Sequence, residues 1–303
     1  MTSETGETGL DSLLSVAMGF MTARVLLAAV QLGVFTRLGD GPRDRARLAA
    51  ETGLHPRCAA DFLDTLVSLG LLRRDGDTYR NGPDADLYLD REKPTYVGGL
   101  LERLNHEGWA SLTEALRDGE PRSEQGGQVG MPEPRILVER LDWSAVRRVV
   151  EIGGSGALSV QLAQAYPHVS GGVLGAAPEY AGDVERLFLA DRLEAFATLP
   201  PADAYVLGGV LSRLGAAERP ALLAELRAAL SDGGMVIVYD TMLDDERRRN
   251  TTGLLSSLGL LLETPAGRQS TVAECGRLLT EAGLREVTTE DLGHGWSAIM
   301  GVK

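Results

Sequence analysis

Apolar positions set the framework of this chain. Residues 11–37 carry Leu, Ala, Val and Met on most sides, which predicts one long helix buried in a core or against a partner chain. A short helix over 48–54 is stopped by Gly53. A second, over 56–69, puts Ala59, Phe62, Leu63, Leu66 and Val67 on one stripe. Gly70 ends it, Leu71-Leu72 begins a strand, and Asp75-Gly76 marks a hairpin. Two helices and a hairpin make a winged helix. Residues 96–116 read as one amphipathic helix holding His106 and Trp109, 118–134 as a linker, and 134–141 as a last helix before Asp142-Trp143-Ser144.

From 146 onward the spacing alternates between strand and helix: 147–152, 156–166, 171–175, 203–210, 216–230, 234–240, 271–283 and 285–300. Asp232-Gly233-Gly234 reads as a helix stop, and Thr271 with Glu274 as a capping box. Alternation of this kind gives an α/β doubly wound, Rossmann-like sheet. The run Val149-Val150-Glu151-Ile152-Gly153-Gly154-Ser155-Gly156 is a strand, a tight turn and a helix start. Glycines there admit a ligand close to the backbone, and the helix behind them offers free N–H groups. Ligands in such sheets bind beyond the carboxyl ends of the strands. That places Glu151, Gly153, Gly154, Gly156, Gly175, the stretch Gly208 to Ser212, and Asp240 around one crevice.

Composition narrows the function. The 303 residues carry a net charge of −13, which argues against nucleic acid as a partner. The winged helix fits that view, because its second helix shows Asp61 and Asp64 and only Arg57 near its start. Cys58 and Cys275 stand far apart, against a disulfide framework or a cysteine metal site. The polar start is unlike a signal peptide, and the apolar stretch 13–34, broken by Arg24 and Gln31, is expected to be no membrane span. A cytoplasmic protein is the expectation.

The chain resembles the small-molecule, secondary-metabolite O-methyltransferases that carry an N-terminal dimerising winged helix. The likeness rests on 23–35, Leu48-Ala49, 66–72, Trp109 through Gly119, Asp142-Trp143-Ser144, the glycine loop, 202–207, Val210-Leu211, Gly233-Gly234 and 271–284, in that order. It implies a dimerisation domain over 10–95, linking helices over 96–141 that roof a cleft, and a class I methyltransferase-like α/β domain over 142–303. It further implies an S-adenosylmethionine site at the strand ends, a homodimer with interlocking N-terminal helices, and a phenolic or polyketide-like small-molecule substrate.

Several positions depart from the family's pattern. Ser155 and Ala157 replace usual glycines. Val173-Leu174 runs into Gly175-Ala176-Ala177 with no ribose-binding acid, leaving Glu179 as the near substitute, and Asp191 or Glu194 stands for the acidic position beside the adenine. Ser212 and Arg213 occupy the place of the family's general-base histidine. Loss of one charge-assisted pair removes about 1.5–3 kcal/mol, and loss of a general base about 10²–10⁴-fold in rate. Together these departures lead to the expectation of a retained fold with changed chemistry: a cofactor-independent cyclisation or rearrangement of a polyketide-like or aromatic substrate. The alternatives are an active O-methyltransferase acting on an acidic phenol, and a non-catalytic dimer partner or ligand-binding protein. Candidate acid–base groups are His106 and His294, with Ser212 and Arg213 placed to hold a carbonyl or enolate oxygen. His55 and His168 are expected to cap structure instead, and Glu263 to face the cleft if its helix follows the family's.

Overall fold

A computed structural model of the protein describes residues 10–104, 107–122, 135–154, 156–174, 187–190 and 199–303. The chain divides into one unit over Met1–His106 and another over Glu107–Lys303. The stretch 96–141 is therefore shared between the two units.

In the first unit the expected long helix is interrupted. Helix α1 (Leu10–Gln31) ends before Gly33, which adopts φ +70°, and α2 (Val34–Gly39) follows. A left-handed residue at that point suits glycine and turns the chain. Helix α3 (Arg45–Thr52) is capped by the Asp44 carboxylate, which accepts from the Arg47 amide at 2.8 Å. Helix α4 (Pro56–Ser68) is capped by His55, whose Nδ1 accepts from the Arg57 amide at 3.2 Å. The wing has three strands, one more than expected: β1 (Arg43–Asp44), β2 (Leu72–Asp75) and β3 (Thr78–Asn81), in the order β1-β3-β2. On the wing, Arg74 and Tyr79 both donate to Asp64 of α4, at 2.8–2.9 Å. Helices α5 (Pro83–Tyr88) and α6 (Gly98–Leu104) complete the unit.

Only Leu27, Ala29 and Val30 of α1 are buried. Val16 is 82% exposed and Phe20 64%, with Leu13 and Met21 also bare. By length and composition α1 could cross a membrane, despite Arg24 and Gln31.

The second unit begins with a 3₁₀ turn (Glu107–Ser111) and α7 (Leu112–Asp118), so the single helix expected over 96–116 is instead several short pieces. Helix α8 (Arg135–Arg140) leads to Trp143, which is fully buried and donates to Leu137 O at 3.0 Å. The α/β core then runs β4 (Arg148–Ile152), α9 (Ala157–Ala165), β5 (Ser170–Leu174), β6 (Leu187–Ala190), β7 (Ala202–Gly208), α10 (Glu218–Ala229), β8 (Leu230–Asp240), α11 (Thr251–Glu263), α12 (Val272–Glu281), β9 (Arg285–Gly293) and β10 (Trp296–Val302). The sheet order is β6-β5-β4-β7-β8-β10-β9, with β10 antiparallel to both neighbours. Its parallel strands are buried on both faces, which explains their unbroken apolar runs. Strand β8 starts sooner than expected. Ala202 pairs with Leu230 and Ala204 with Met235, so Asp232-Gly233-Gly234 forms a bulge within the strand and not a helix stop. Thr271 and Glu274 do form the expected capping box on α12.

Candidate functional site

From β4 the chain moves outward through β5 and β6, then returns to place β7 on the other side of β4. That reversal leaves a crevice at the carboxyl ends of β4 and β7, where doubly wound sheets bind ligands. The two loops meet there: a Cβ added to Gly153 would lie 2.8 Å from Val210 Cγ2.

On the β4 side, Gly153 and Gly156 adopt φ +69° and +89°, so the turn requires their backbone freedom. Gly154 is required for another reason, since a Cβ would land on the Glu151 carboxylate. Glu151 is buried beneath the loop and accepts from the amides of Gly156 and Ser159 and from the Ser159 hydroxyl, each at 3.3 Å. Burial pushes its carboxyl above the usual range, opposed by those donors. Ala157 opens α9 with no need for a left-handed residue, so this departure from the family's glycine leaves the helix start intact. Ser155, Gly175, Glu179, Asp191 and Glu194 lie outside the described residues.

On the β8 side, Asp240 is buried and tightly held. Ser212 Oγ donates to Oδ2 at 2.6 Å, while Gln269 Nε2 and the Thr241 amide donate to Oδ1 at 2.7 and 2.8 Å. Burial raises its carboxyl too, against the pull of the same donors. Gln269 continues the network to Thr241 Oγ1 and Ser256 Oγ, both at 3.1 Å. Ser212 therefore serves Asp240 and does not present a hydroxyl to a ligand. Its carbonyl accepts from the Arg268 amide at 2.7 Å, which pins the 3₁₀ turn Leu211–Arg213.

Arg213 projects from that turn and donates through Nη1 to Glu263 Oε2 at 3.0 Å. The pair is lopsided: the Arg213 side chain is 31% exposed and that of Glu263 only 2%. Trp109 lies over Gly259 of α11, its Cζ2 3.8 Å from where a Cβ would stand. The backbone of Arg122 donates to Leu262 O at 2.7 Å. The end of α11 is thus covered by the segment that begins the unit.

The histidines divide by position. His294 is exposed in the two-residue turn between β9 and β10, with φ +53°, and Gly295 beside it is also left-handed. Ser297 pairs with Asp240, so this turn stands at the ligand end of the sheet. Asn250 ties it down, donating to Gly295 O and Met242 O at 2.7 Å. His168 lies 3.4 Å through Nε2 from Trp143 O, before β5 and so at the opposite end of the sheet. His106 is outside the described residues. Sequence reasoning missed Gln269 and Ser159. A lone Gln before a capping box and a Ser inside a helix give no pattern until the sheet brings each against a carboxylate.

A Rossmann-like sheet with a glycine loop over a buried strand-end acid, its chain direction reversing beside that loop, is the build of a class I methyltransferase. Residues 132–285 match the O-methyltransferase domain family and residues 14–91 the O-methyltransferase dimerisation domain. The chain is 39% identical, over 95% of each sequence, to the tetracenomycin polyketide synthesis 8-O-methyl transferase TcmO of Streptomyces glaucescens. It is 35% identical, over 90% of each, to the N,N-dimethyltransferase OxyT of Streptomyces rimosus. Human N-acetylserotonin methyltransferase, solved in complex with SAM, superposes with a TM-score of 0.88 at 27% identity over 99% of both chains. The chain belongs to the O-methyltransferase family and has the methyltransferase fold. The expected shift to cofactor-independent cyclisation or rearrangement draws no support from these likenesses, and the alternative reading fits them better.

Proposed function

We propose that this protein is an S-adenosylmethionine-dependent O-methyltransferase acting on a phenolic hydroxyl of an aromatic, polyketide-like small molecule. The observation that carries the reading is the cradle of Gly153, Gly154 and Gly156 over Glu151, in a chain so similar to a polyketide O-methyltransferase. The cradle fits the cofactor: Gly153, Gly154 and Gly156 leave bare backbone at the strand end, and the α9 N-terminus lies behind them. When bound, S-adenosylmethionine would supply an electrophilic methyl group on its sulfonium, with S-adenosylhomocysteine as the leaving group.

The chain's own part is to orient and desolvate the acceptor, a contribution of proximity. Asp240 stays bound to Ser212, Gln269 and Thr241, and it stiffens the turn that borders the crevice. We also place the exposed apolar face of α1 against a second copy of the chain, since it lies within the dimerisation-domain match. The work would take place in the cytoplasm, as expected from the sequence.

Calorimetry with S-adenosylhomocysteine tests the cofactor site. Binding tighter than about 10 μM, roughly −7 kcal/mol, is expected, and no heat at high protein concentration would refute the reading. Mass spectrometry of a hydroxyanthraquinone incubated with S-adenosylmethionine should show one added methyl. Sedimentation should give a dimer for the native chain and a monomer for Phe20→Glu.

A further inference from the structure

Among the described residues, no side chain stands free in the crevice as a proton acceptor. Of the three histidines among the described residues, His55 caps α4, His168 sits at the far end of the sheet, and His294 is exposed in a turn. Asp240 is enclosed by three donors, and Glu263 is buried behind Arg213. What the turn beside the glycine loop does offer is a cation. Arg213 stands three residues after Val210, the residue against Gly153, on a turn fixed by Ser212 from both its hydroxyl and its carbonyl.

From this arrangement we infer that the acceptor is an acidic phenol, its hydroxyl conjugated with a ring carbonyl, which binds as the phenolate with Arg213 as its counter-ion. The inference rests on the methyl-transfer reading and names the substrate class for that site. No protein base is needed: the phenol O–H bond breaks with its proton passing to solvent, and the oxygen keeps the electron pair that will form the bond to the methyl carbon. A guanidinium carries five N–H donors, and the bond to Glu263 uses Nη1. The remaining fork can meet an anionic oxygen and its neighbouring carbonyl together.

Burial decides which member of the pair meets the ligand. Glu263, at 2% exposure, holds the guanidinium in place, while Arg213, at 31%, reaches solvent. Among the described residues, other charges near the pair are Glu218 and Arg219 at the start of α10, Arg268 beyond α11, Arg122 at the α11 end, and Asp240 behind Ser212. Arg219 donates to Leu214 O, Ser270 Oγ and Arg268 O, so it belongs to the scaffold. Arg268 pairs with Glu274.

The test uses alizarin, a dihydroxyanthraquinone whose anion absorbs at longer wavelength than the neutral phenol. Titrated with pH in the presence of S-adenosylhomocysteine, the bound dye should ionise about one pH unit lower than the free dye. Arg213→Gln should abolish most of that shift, and Arg213→Lys should restore part of it. Because Arg213→Gln alone takes the ion-pair partner from a buried carboxylate, Arg213→Met with Glu263→Gln provides a variant without either charge, and it should also lose the shift. An unshifted dye on the native protein, an equal shift in the charge-free variant, or no saturable dye binding would overturn the inference. Calorimetry on the same samples separates the two claims: if S-adenosylhomocysteine binds but the dye is not acidified, the Arg213 role fails and methyl transfer stands. If S-adenosylhomocysteine does not bind, methyl transfer itself fails.

Discussion

Glu151 and Asp240 end two strands of one sheet, and both are buried carboxylates raised by desolvation. Their surroundings differ. Glu151 accepts three bonds, all 3.3 Å long, from a glycine loop and the first turn of α9. Asp240 accepts three of 2.6–2.8 Å from Ser212, Gln269 and Thr241. Short bonds to a buried acid lock it into the scaffold, whereas long ones leave a loop that can still adjust around a ligand. The difference separates a carboxylate that builds the site's wall from one that belongs to its cradle.

Several substitutions would break or sharpen that contrast. The largest expected effect is from Asp240→Ala, which removes the acceptor that Ser212, Gln269 and the Thr241 amide share in the interior. Urea unfolding should show about 3–5 kcal/mol lost, on the scale of several buried hydrogen bonds to an ionisable group. Next comes Gly154→Ala, whose methyl group displaces the Glu151 carboxylate. Overpacking of this kind costs about 1–3 kcal/mol, with at least a tenfold weaker grip on S-adenosylhomocysteine. Adding Glu151→Ala should recover stability, so that the two changes are non-additive in a double-mutant cycle.

A matched pair of hydroxyl deletions measures the contrast directly. Ser212→Ala should cost about 1–3 kcal/mol and Ser159→Ala nearer 1 kcal/mol, since the first leaves a buried carboxylate short of a close donor. Equal losses would show that bond length is no guide to how each acid is held.

The smallest effect is on pH dependence. A carboxyl raised on folding stabilises the native state below its unfolded pKa, and the benefit fades as pH rises through the folded value. Stability of the native chain should therefore decline as pH climbs from about 4.5, the ordinary value for Glu151. Glu151→Gln should remove its share of that decline in urea titrations at successive pH values.

Much of the fold was legible in the residues. The glycine run after Val149-Val150 fixed a strand-to-helix turn, Thr271 with Glu274 formed its box, and the stripe of α4 buries Ala59, Leu63 and Leu66 as its spacing implied. Where the reading slipped, the cause was local. Gly33 ended α1 early, residues 96–116 broke into short helices, and Gly233 entered a bulge because β7 and β8 pair across it.

The site was less legible. The residues named Ser212 and Arg213 at the former base position, but they could not show that one faces a carboxylate within the protein and the other outward from a buried partner. His294 was found at the ligand end of the sheet, exposed in a turn, through strand pairing that sequence spacing does not reveal.

The sequence by itself determined the strand–turn–helix at Glu151 and the alternation that builds the sheet, because both follow from local backbone preferences and the period of apolar residues. Only the tertiary structure decided what each polar group does. Ser212 and Asp240 are 28 residues apart, Gln269 is 29 beyond Asp240, and Arg213 is 50 from Glu263. Hydrogen bonds and ion pairs over such separations exist only once the sheet has folded and set those side chains within reach of one another.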